Sequence, residues 1–243
     1  AAILCAGLVG FTACDSFLDE DPKSSLTLDT YYKTSADIIG NVNYLYRDGA
    51  PDKMGNMTGA YRGSSLSVMN MVTGYFVNEY EGQEVDCSYA RQLTRQDFTQ
   101  SCCNYLTNDT WKSCYKSINV ANAVIKYVDG VEMDNQAQYK AEARFFRALN
   151  YFYLVKMFGD VPMVTEPTED ATLVEYPTRT AASEVFNTVI IPDLQFAVEN
   201  LPNATFAGNS HRVTKYAADM LLADVYMRLG EYALSLIHIS EPT

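Results

Sequence analysis

The stretch AEARFFRALNYFYLVKMFGDVP, from Ala141 to Pro162, decides the fold more than any other part of the chain. Apolar side chains recur in it at helical spacing, and its second half is apolar nearly all round, which is typical of a helix covered on two sides. Gly159 can adopt the left-handed conformation that ends a helix, and Pro162 prevents the helix from resuming. The stretch therefore predicts a long helix from about Asn135 to Phe158. The basic side chains near its start should mark the wetter end: Lys140, Arg144 and Arg147.

Other segments show the same periodicity and predict an all-α fold. Asn108 is interpreted as an N-cap, and Gly230 as the residue that closes the last of these helices. Helix pairs joined by loops are the arrangement of tetratricopeptide-type stacks, so we predict a helix-turn-helix stack. The stretch from Asp48 to Tyr105 lacks long periodic runs and is predicted to be a loop-rich insertion. The additional helices are predicted at Asp29 to Tyr46, Asn108 to Asp129, Thr180 to Leu201 and Thr214 to Leu229.

Composition excludes several classes of protein. A chain of 243 residues with 48% hydrophobic side chains can bury a core and is not disordered. A formal net charge of −12, with no basic stripe, argues against a nucleic-acid partner. The sequence also lacks G-x-S-x-G, H-E-x-x-H and the phosphate-binding G-x-x-x-x-G-K. We therefore expect a folded protein that is not an enzyme and needs no cofactor.

The six cysteines give a weaker constraint. Cys5 lies in the apolar leader, and four others fall within one short window: Cys87, Cys102, Cys103 and Cys114. Four cysteines can pair in three ways, and free thiols or one or two local disulfides both remain open. No C-x-x-C pair or nearby histidine supports a metal site, so none is predicted.

The start of the chain has the features of a lipoprotein leader. Residues 1–13 form an apolar run that is too short to span a bilayer but suits the apolar region of a signal peptide. Residues 11 to 14, Phe-Thr-Ala-Cys, resemble a bacterial lipobox with Phe11 where Leu is usual. We therefore expect Cys14 to be lipidated and to anchor the protein to a membrane.

The last ten residues have a different expected origin. LSLIHISEPT, from Leu234 to Thr243, matches one reading frame of a common transposase sequencing adapter. We expect residues 234–243 to be adapter-derived, so that His238 and Glu241 carry no function and the natural protein continues beyond Ala233. Residues 14–233 are then the genuine folded region. The remaining histidine, His211, stands just before a helix and is expected to be a surface or capping residue.

Four motifs stand out along the chain: the lipobox with CDSFLDEDP, Trp111-x3-Tyr115-x2-Ile118-x3-Asn122, the stretch from Ala141 to Pro162, and TKYAADMLLADVYMRLGEY from Thr214 to Tyr232. Together they resemble the SusD/RagB family of outer-membrane nutrient-binding lipoproteins. The resemblance covers Cys14 to about Ala233. It implies an all-α, tetratricopeptide-like N-terminal region, exposed at the cell surface, that covers a TonB-dependent transporter of the SusC kind. Such proteins capture oligosaccharides, or in some members peptides, and family members continue into a C-terminal portion that this sequence lacks.

The loop-rich region contains residues suited to a sugar ligand. A sugar ring presents an apolar face and an edge of hydroxyls, so a glycan platform needs exposed aromatics beside amides or carboxylates. The predicted ligand-binding residues are Tyr75, Asn78, Tyr80 and Tyr89. The alternative for each is local packing, and Trp111, at the start of a helical stripe, can likewise be a stacking residue or part of the core.

The sequence is also compatible with two other functions. A helical-repeat adaptor that binds protein or peptide partners would use the same scaffold. A glycoside hydrolase would need a pair of carboxyl groups, one as acid and one as base or nucleophile. One acidic cluster could supply this pair, although such a cluster is also expected in an ordinary solvated loop. It consists of Glu79, Glu81, Glu84 and Asp86.

Overall fold

A computed structural model describes residues 27–46, 73–75, 94–97, 101–168 and 177–240. Side chains of residues 101–109 and 239–240 are outside that description. The described part is helical, with a single antiparallel pairing of two short strands, β1 (Val161–Pro162) and β2 (Arg179–Thr180). The helices are α1 (Leu28–Tyr31), α2 (Ser35–Tyr44), α3 (Ser101–Tyr127), α4 (Gln136–Phe158), α5 (Ala182–Val185), α6 (Ile191–Asn200), α7 (Lys215–Leu229) and α8 (Tyr232–Ser240).

The longer helices form a stack in which each packs against the next. Helix α3 packs against α4, α4 against α6, α6 against α7 and α7 against α8, while α2 covers α3 and α4. The connections from α3 to α4 and from α7 to α8 are short, so each of these two pairs is a helix hairpin. The predicted all-α stack is therefore confirmed. None of the described helices is both long enough and apolar enough to cross a membrane.

The central helix α4 has the predicted bounds. Asn135 precedes it in the left-handed conformation, with φ 56°, and Gly159 follows it with φ 69°. It packs between α3 and α6. The expectation that Arg147 marks the wetter end is wrong, because it is only 8% exposed, whereas Lys140 and Arg144 are half-buried. Glu142 is also fully buried. A charged side chain can enter the core here because a partner of opposite charge meets it.

The first predicted helix is two helices instead of one. Helix α2 starts afresh at Thr34, whose hydroxyl accepts the Asp37 N–H at 3.4 Å while the Asp37 carboxylate accepts the Thr34 N–H at 2.8 Å. This reciprocal capping box sets a new helix start inside the apolar pattern. Hydrogen bonds from Thr34 hold the pKa of Asp37 below its usual range. Tyr32, at the break, is buried and stacks on Tyr127, with the ring centroids 5.2 Å apart.

The predicted start of α3 is also wrong. The helix begins at Ser101 and continues through Asn108, the predicted N-cap. Asparagine inside a helix costs less than about 1 kcal/mol relative to alanine, so packing of the following turns can override its capping preference. The predicted end is close, since α3 passes into a 3₁₀ turn at Val128–Gly130.

The segment predicted as one helix from Thr180 to Leu201 is continuous from Ala182 to Asn200 but contains a π-helical turn at Phe186–Ile190. Pro192 stands just after that turn, in the first turn of α6. Proline has no N–H to donate and would clash with the carbonyl one turn earlier, so the wider turn makes room for it.

Helix α7 has the predicted limits, with Thr214 as N-cap and Gly230 closing it at φ 78°. Helix α8 packs on it, and the Ser235 hydroxyl donates to the Ala223 carbonyl at 3.0 Å. His238 lies 3.0 Å from the Asp219 carboxylate and stacks on Tyr226. Residues 234–240 thus continue the stack, and their origin in an adapter stays a prediction.

Candidate functional site

Tyr75 is the predicted ligand-binding residue that the structure describes. Its side chain is 89% exposed, and its N–H donates to the Thr73 hydroxyl at 3.3 Å in the turn of residues 73–75. An aromatic ring held this openly is available to stack on a ligand. The remaining predicted residues lie outside the described residues: Asn78, Tyr80, Tyr89, the lipidation residue Cys14 and the acidic cluster at positions 79, 81, 84 and 86.

Trp111, by contrast, is part of a packed aromatic cluster. Its ring centroid lies 5.0 Å from that of Tyr115 and 5.1 Å from that of Phe158. The Arg179 guanidinium lies over the ring at 6.0 Å. The side chain is half-buried against the core. Of the two alternatives for Trp111, packing is the one that the structure supports.

The segment after Gly159 is held against α3 and α4 by side chains. The Tyr151 hydroxyl accepts the Val164 N–H at 2.7 Å and donates to the Val164 carbonyl at 2.8 Å. Asn122 donates to the same carbonyl at 3.0 Å, and Tyr115 donates to the Pro162 carbonyl at 2.7 Å. Burial raises the pKa of Tyr151 to about 12, so its hydroxyl stays protonated at neutral pH. These bonds fix the loop that the Phe-Gly-Asp-Val-Pro motif begins.

Asp193 and Arg147 form a buried ion pair between α6 and α4. Arg147 Nε donates to Oδ2 at 2.7 Å and Nη2 to Oδ1 at 2.9 Å, while Nη1 donates to the Asn122 side chain at 2.9 Å. Burial raises the pKa of Asp193, and the hydrogen bonds and charge of Arg147 oppose that rise. The pair sets the register of three helices and leaves no carboxylate oxygen open to a substrate.

Glu142 forms the second buried ion pair, with Arg212 from the loop before α7. Arg212 Nε lies 3.0 and 3.1 Å from the two carboxylate oxygens, and the Tyr46 hydroxyl donates to Oε2 at 3.0 Å. The guanidinium lies 4.8 Å from the centroid of the Tyr46 ring and 5.3 Å from that of the Tyr139 ring. Glu142 therefore serves to attach the loop before α7 to the stack.

A surface cleft of about 590 Å³ lies beside this ion pair, where α2 approaches the start of α4. Its wall from α2 contributes a hydroxyl and an apolar side chain, and the α3–α4 connection contributes two carboxylates, an amide and a thioether. The first turn of α4 adds an aromatic ring. Such a lining combines hydrogen-bonding groups with apolar contact area. The lining residues are Ser35, Ile39, Glu132, Met133, Asp134, Asn135 and Tyr139.

Sequence reasoning missed both the cleft and the ion pairs. The run Glu132-Met133-Asp134-Asn135 predicts only a connection between helices, because a polar run after a glycine indicates a loop and not what lies opposite it. A signal did exist for the ion pairs. Glu142 and Arg147 fall inside the apolar pattern of α4, and a charge at such a position needs a buried partner.

These features define an all-α stack of helix hairpins, braced by buried ion pairs and carrying an exposed aromatic turn. A family model for SusD-like proteins, described as starch-binding and associating with the outer membrane, matches residues 16–227. The chain belongs to this SusD-like family.

Individual relatives agree with that assignment. The chain is 27% identical over 219 residues to a SusD-like protein P2 of Formosa agariphila, with 89% of this chain and 41% of that protein covered. A laminarin-binding SusD-like protein of known structure superimposes with a TM-score of 0.70 at 24% identity, over 86% of this chain and 43% of that one. Another structure, with a xylogluco-oligosaccharide, gives a TM-score of 0.61 at 22% identity, over 84% and 39%. The chain spans about two fifths of the length of the curated relatives that it matches.

Proposed function

We propose that this chain belongs to a cell-surface protein that binds oligosaccharides and delivers them to a TonB-dependent outer-membrane transporter of the SusC kind. The observation that carries the proposal is the family match over residues 16–227, whose description includes starch binding and the outer membrane. Neighbouring structures named for laminarin and for a xylogluco-oligosaccharide support a carbohydrate ligand. The exposed ring of Tyr75 is suited to stack on a sugar.

Binding without catalysis is part of this proposal. Glu142 and Asp193 are buried carboxylates, and each is held by an arginine in a structural ion pair. A general acid must present its proton to the substrate, which these groups do not do. The glycosidase alternative raised by the sequence uses the acidic cluster at residues 79–86 instead, which lies outside the described residues. Measurable glycan hydrolysis that is lost in Glu79→Gln or Glu84→Gln would revive it.

The anchor belongs to the same proposal. Lipidation at Cys14 would hold the protein at the outer membrane while the helix stack stays outside the bilayer. Mass spectrometry of the protein expressed in its native leader context tests this directly, since Cys14→Ser should abolish both the acyl mass and the membrane fraction.

Titration calorimetry with defined oligosaccharides tests ligand binding. The probes are maltohexaose, a β-1,3-linked glucan hexasaccharide and a xyloglucan oligosaccharide. We expect Tyr75→Ala to weaken binding of the preferred probe about fivefold to tenfold, because one stacking contact is lost. Replacing Tyr75, Tyr80 and Tyr89 together should abolish binding at the loop that holds them. Tyr232→Ala, which removes an exposed tyrosine elsewhere, is the matched control.

The calorimetry also separates the proposal from the adaptor alternative. No heat with any of the three probes would contradict oligosaccharide binding. If the triple variant then still co-purified with its transporter, the chain would be better described as an adaptor. Sequencing the gene and its neighbours through codon 233 would show whether a transporter gene lies beside it.

A further inference from the structure

We infer that the cleft between α2 and the start of α4 is a second binding site for a neutral oligosaccharide, apart from the loop that holds Tyr75. The inference rests on the proposed glycan-binding function and extends it to a site defined by side chains. Its volume, about 590 Å³, falls in the range of small-molecule sites in proteins.

The hydrogen-bonding groups of the cleft are uncommitted. Across the described part of the chain, the side chains of Ser35, Glu132, Asp134 and Asn135 make no hydrogen bond or ion pair. The polar side chains that follow in the first turns of α4 do have partners. Gln136 donates to two carbonyls, Gln138 donates to Glu142, and Lys140 pairs with Asp129. Glu132, Asp134 and Asn135 are exposed and Ser35 is half-buried, so the polar groups of all four are free to bond to a ligand in the cleft.

The start of α4, at Asn135, also leaves hydrogen-bonding groups without a partner. It occupies the N-cap position of α4, where an asparagine side chain ordinarily accepts an N–H of the first turn, yet it makes no such bond. Its left-handed conformation, φ 56° and ψ 29°, accompanies this departure. The first-turn N–H groups of α4 and the Asn135 amide are therefore available as donors beside the carboxylates.

This combination selects for hydroxyl groups. A sugar hydroxyl both donates and accepts, so it can bond to Glu132 or Asp134 with its hydrogen and accept from Asn135 with its oxygen. A strongly anionic ligand would meet two carboxylates, and the described residues that line the cleft include no basic side chain to offset them. The chemistry of the cleft accordingly favours a neutral glycan over an acidic one.

The apolar lining completes the match. Ile39 and Met133 provide contact area for the C–H face of a sugar ring, and Tyr139 provides an aromatic surface. The Tyr139 ring is in contact with Arg212, whose guanidinium lies over it at 5.3 Å from the centroid and is itself bound to Glu142. A ring braced in this way loses little rotational freedom when a ligand binds.

The test is NMR of the whole chain labelled with ¹³C at the methionine methyl groups, titrated with the three oligosaccharides named above. Met133 lines the cleft, while Met220 on α7 is 73% exposed and away from it. We expect saturable shifts at Met133 and none at Met220. The double variant Glu132→Ala, Asp134→Ala should weaken the affinity read at Met133 at least tenfold. Glu184→Ala, Glu199→Ala removes the same charge from exposed positions on α5 and α6 and should leave it unchanged.

The outcomes separate the two proposals. Oligosaccharide binding that is weakened in Tyr75→Ala but never shifts Met133 would overturn the cleft site and leave the proposed function intact. Absence of binding by every readout would overturn both. A fully charged oligogalacturonate hexamer that shifts Met133 with equal affinity would overturn the assignment to neutral glycans.

Discussion

The two buried ion pairs of α4 differ in what they join. Arg147 and Asp193 lie on two helices and are both almost completely enclosed, with side-chain exposures of 10% and 2%. Glu142 is as deeply buried, but its partner Arg212 comes from a loop and keeps 21% of its side chain exposed. The first pair is part of the contact between helices, whereas the second attaches a connection to the outside of the stack. An arginine–carboxylate ion pair thus joins two helices within the core in one place and attaches a loop to a helix in the other.

The largest expected effect comes from breaking the helix–helix pair. Arg147→Ala leaves Asp193 buried without its bidentate partner, and we expect the free energy of unfolding to fall by about 3 to 5 kcal/mol. Urea unfolding followed by circular dichroism measures it. Arg228→Ala is the control, since Arg228 pairs with Asp224 at 3.3 Å on a surface where both side chains are about two fifths exposed, and its loss should cost under about 1 kcal/mol.

A double variant sharpens the interpretation. Combining Arg147→Met with Asp193→Leu replaces the ion pair by an apolar contact between the same two helices. Most of the stability lost in Arg147→Ala should then return, because no charge is left buried without a partner. If the double variant is as unstable as Arg147→Ala, the loss of stability comes from poor packing of the replacement side chains and not from an unpaired charge.

Breaking the loop pair should cost less. Arg212→Ala removes the cation from Glu142, but Tyr46 and Gln138 still donate to that carboxylate and the Arg212 side chain is partly solvated. We expect a loss of about 2 kcal/mol, measured in the same way. The free energy of unfolding of Arg212→Lys should fall between that of the wild type and that of the alanine variant, because lysine keeps the positive charge but lacks the planar guanidinium that bonds to both carboxylate oxygens. A loss equal to that of Arg147→Ala would remove the distinction between the two pairs.

A neutral side chain also fastens a loop to α4, and it offers a third comparison. Tyr151→Phe removes the hydroxyl that serves both the N–H and the carbonyl of Val164. We expect a loss of about 1 to 2 kcal/mol and faster hydrogen exchange at Val164, because both backbone groups lose a partner. The exposed Tyr75→Phe should leave stability unchanged. Retained protection at Val164 in the Tyr151 variant would show that Asn122 alone secures the loop.

The smallest effect appears only at alkaline pH. Burial, with the nearby Glu142 charge, raises the pKa of Tyr46, so the folded protein keeps this proton where the unfolded chain, with a tyrosine pKa near about 10, releases it. Stability is therefore unaffected below pH about 9 and falls as pH rises above about 10, by up to about 1.4 kcal/mol per pH unit for one such group.

Tyr46→Phe should reduce that alkaline slope, measured by urea unfolding at a series of pH values. The slope should not vanish, because burial also raises the pKa of Tyr151 and that of Tyr153 to about 12. An alkaline slope identical to that of the wild type would contradict the assignment to Tyr46.

The sequence predicted most of this architecture because its strongest signals are local. The periodicity of α4 and the glycines at positions 159 and 230 act within one or two turns, and the structure agrees with both. The misplaced boundaries have competing local causes: Asn108 resembles a cap but lies within α3, and Thr34 with Asp37 restarts a helix inside an apolar pattern. When a capping residue and an apolar pattern predict different helix boundaries, the local sequence cannot decide between them, because packing against other helices does.

The candidate sites were less predictable because they depend on contacts distant in the sequence. Arg212 meets Glu142 across 70 positions, and Arg147 meets Asp193 across 46. The cleft joins Ser35 on α2 to residues of the α3–α4 connection far along the chain. Periodicity identifies which face of a helix is buried, but not which helix covers it. The prediction for Tyr75 needed only a loop, and its ring is exposed as a ligand platform requires.

The position of Cys114 has a consequence for the order in which the protein matures. Its thiol is free and fully buried in α3, and burial raises its pKa to about 12. The reactive thiolate is therefore almost absent in the folded protein, and an oxidant cannot reach it. Before α3 packs against α4 neither protection exists. In an oxidising compartment, rapid closure of this hairpin would keep Cys114 out of wrong disulfides, and slow closure would commit part of the protein to misoxidised forms.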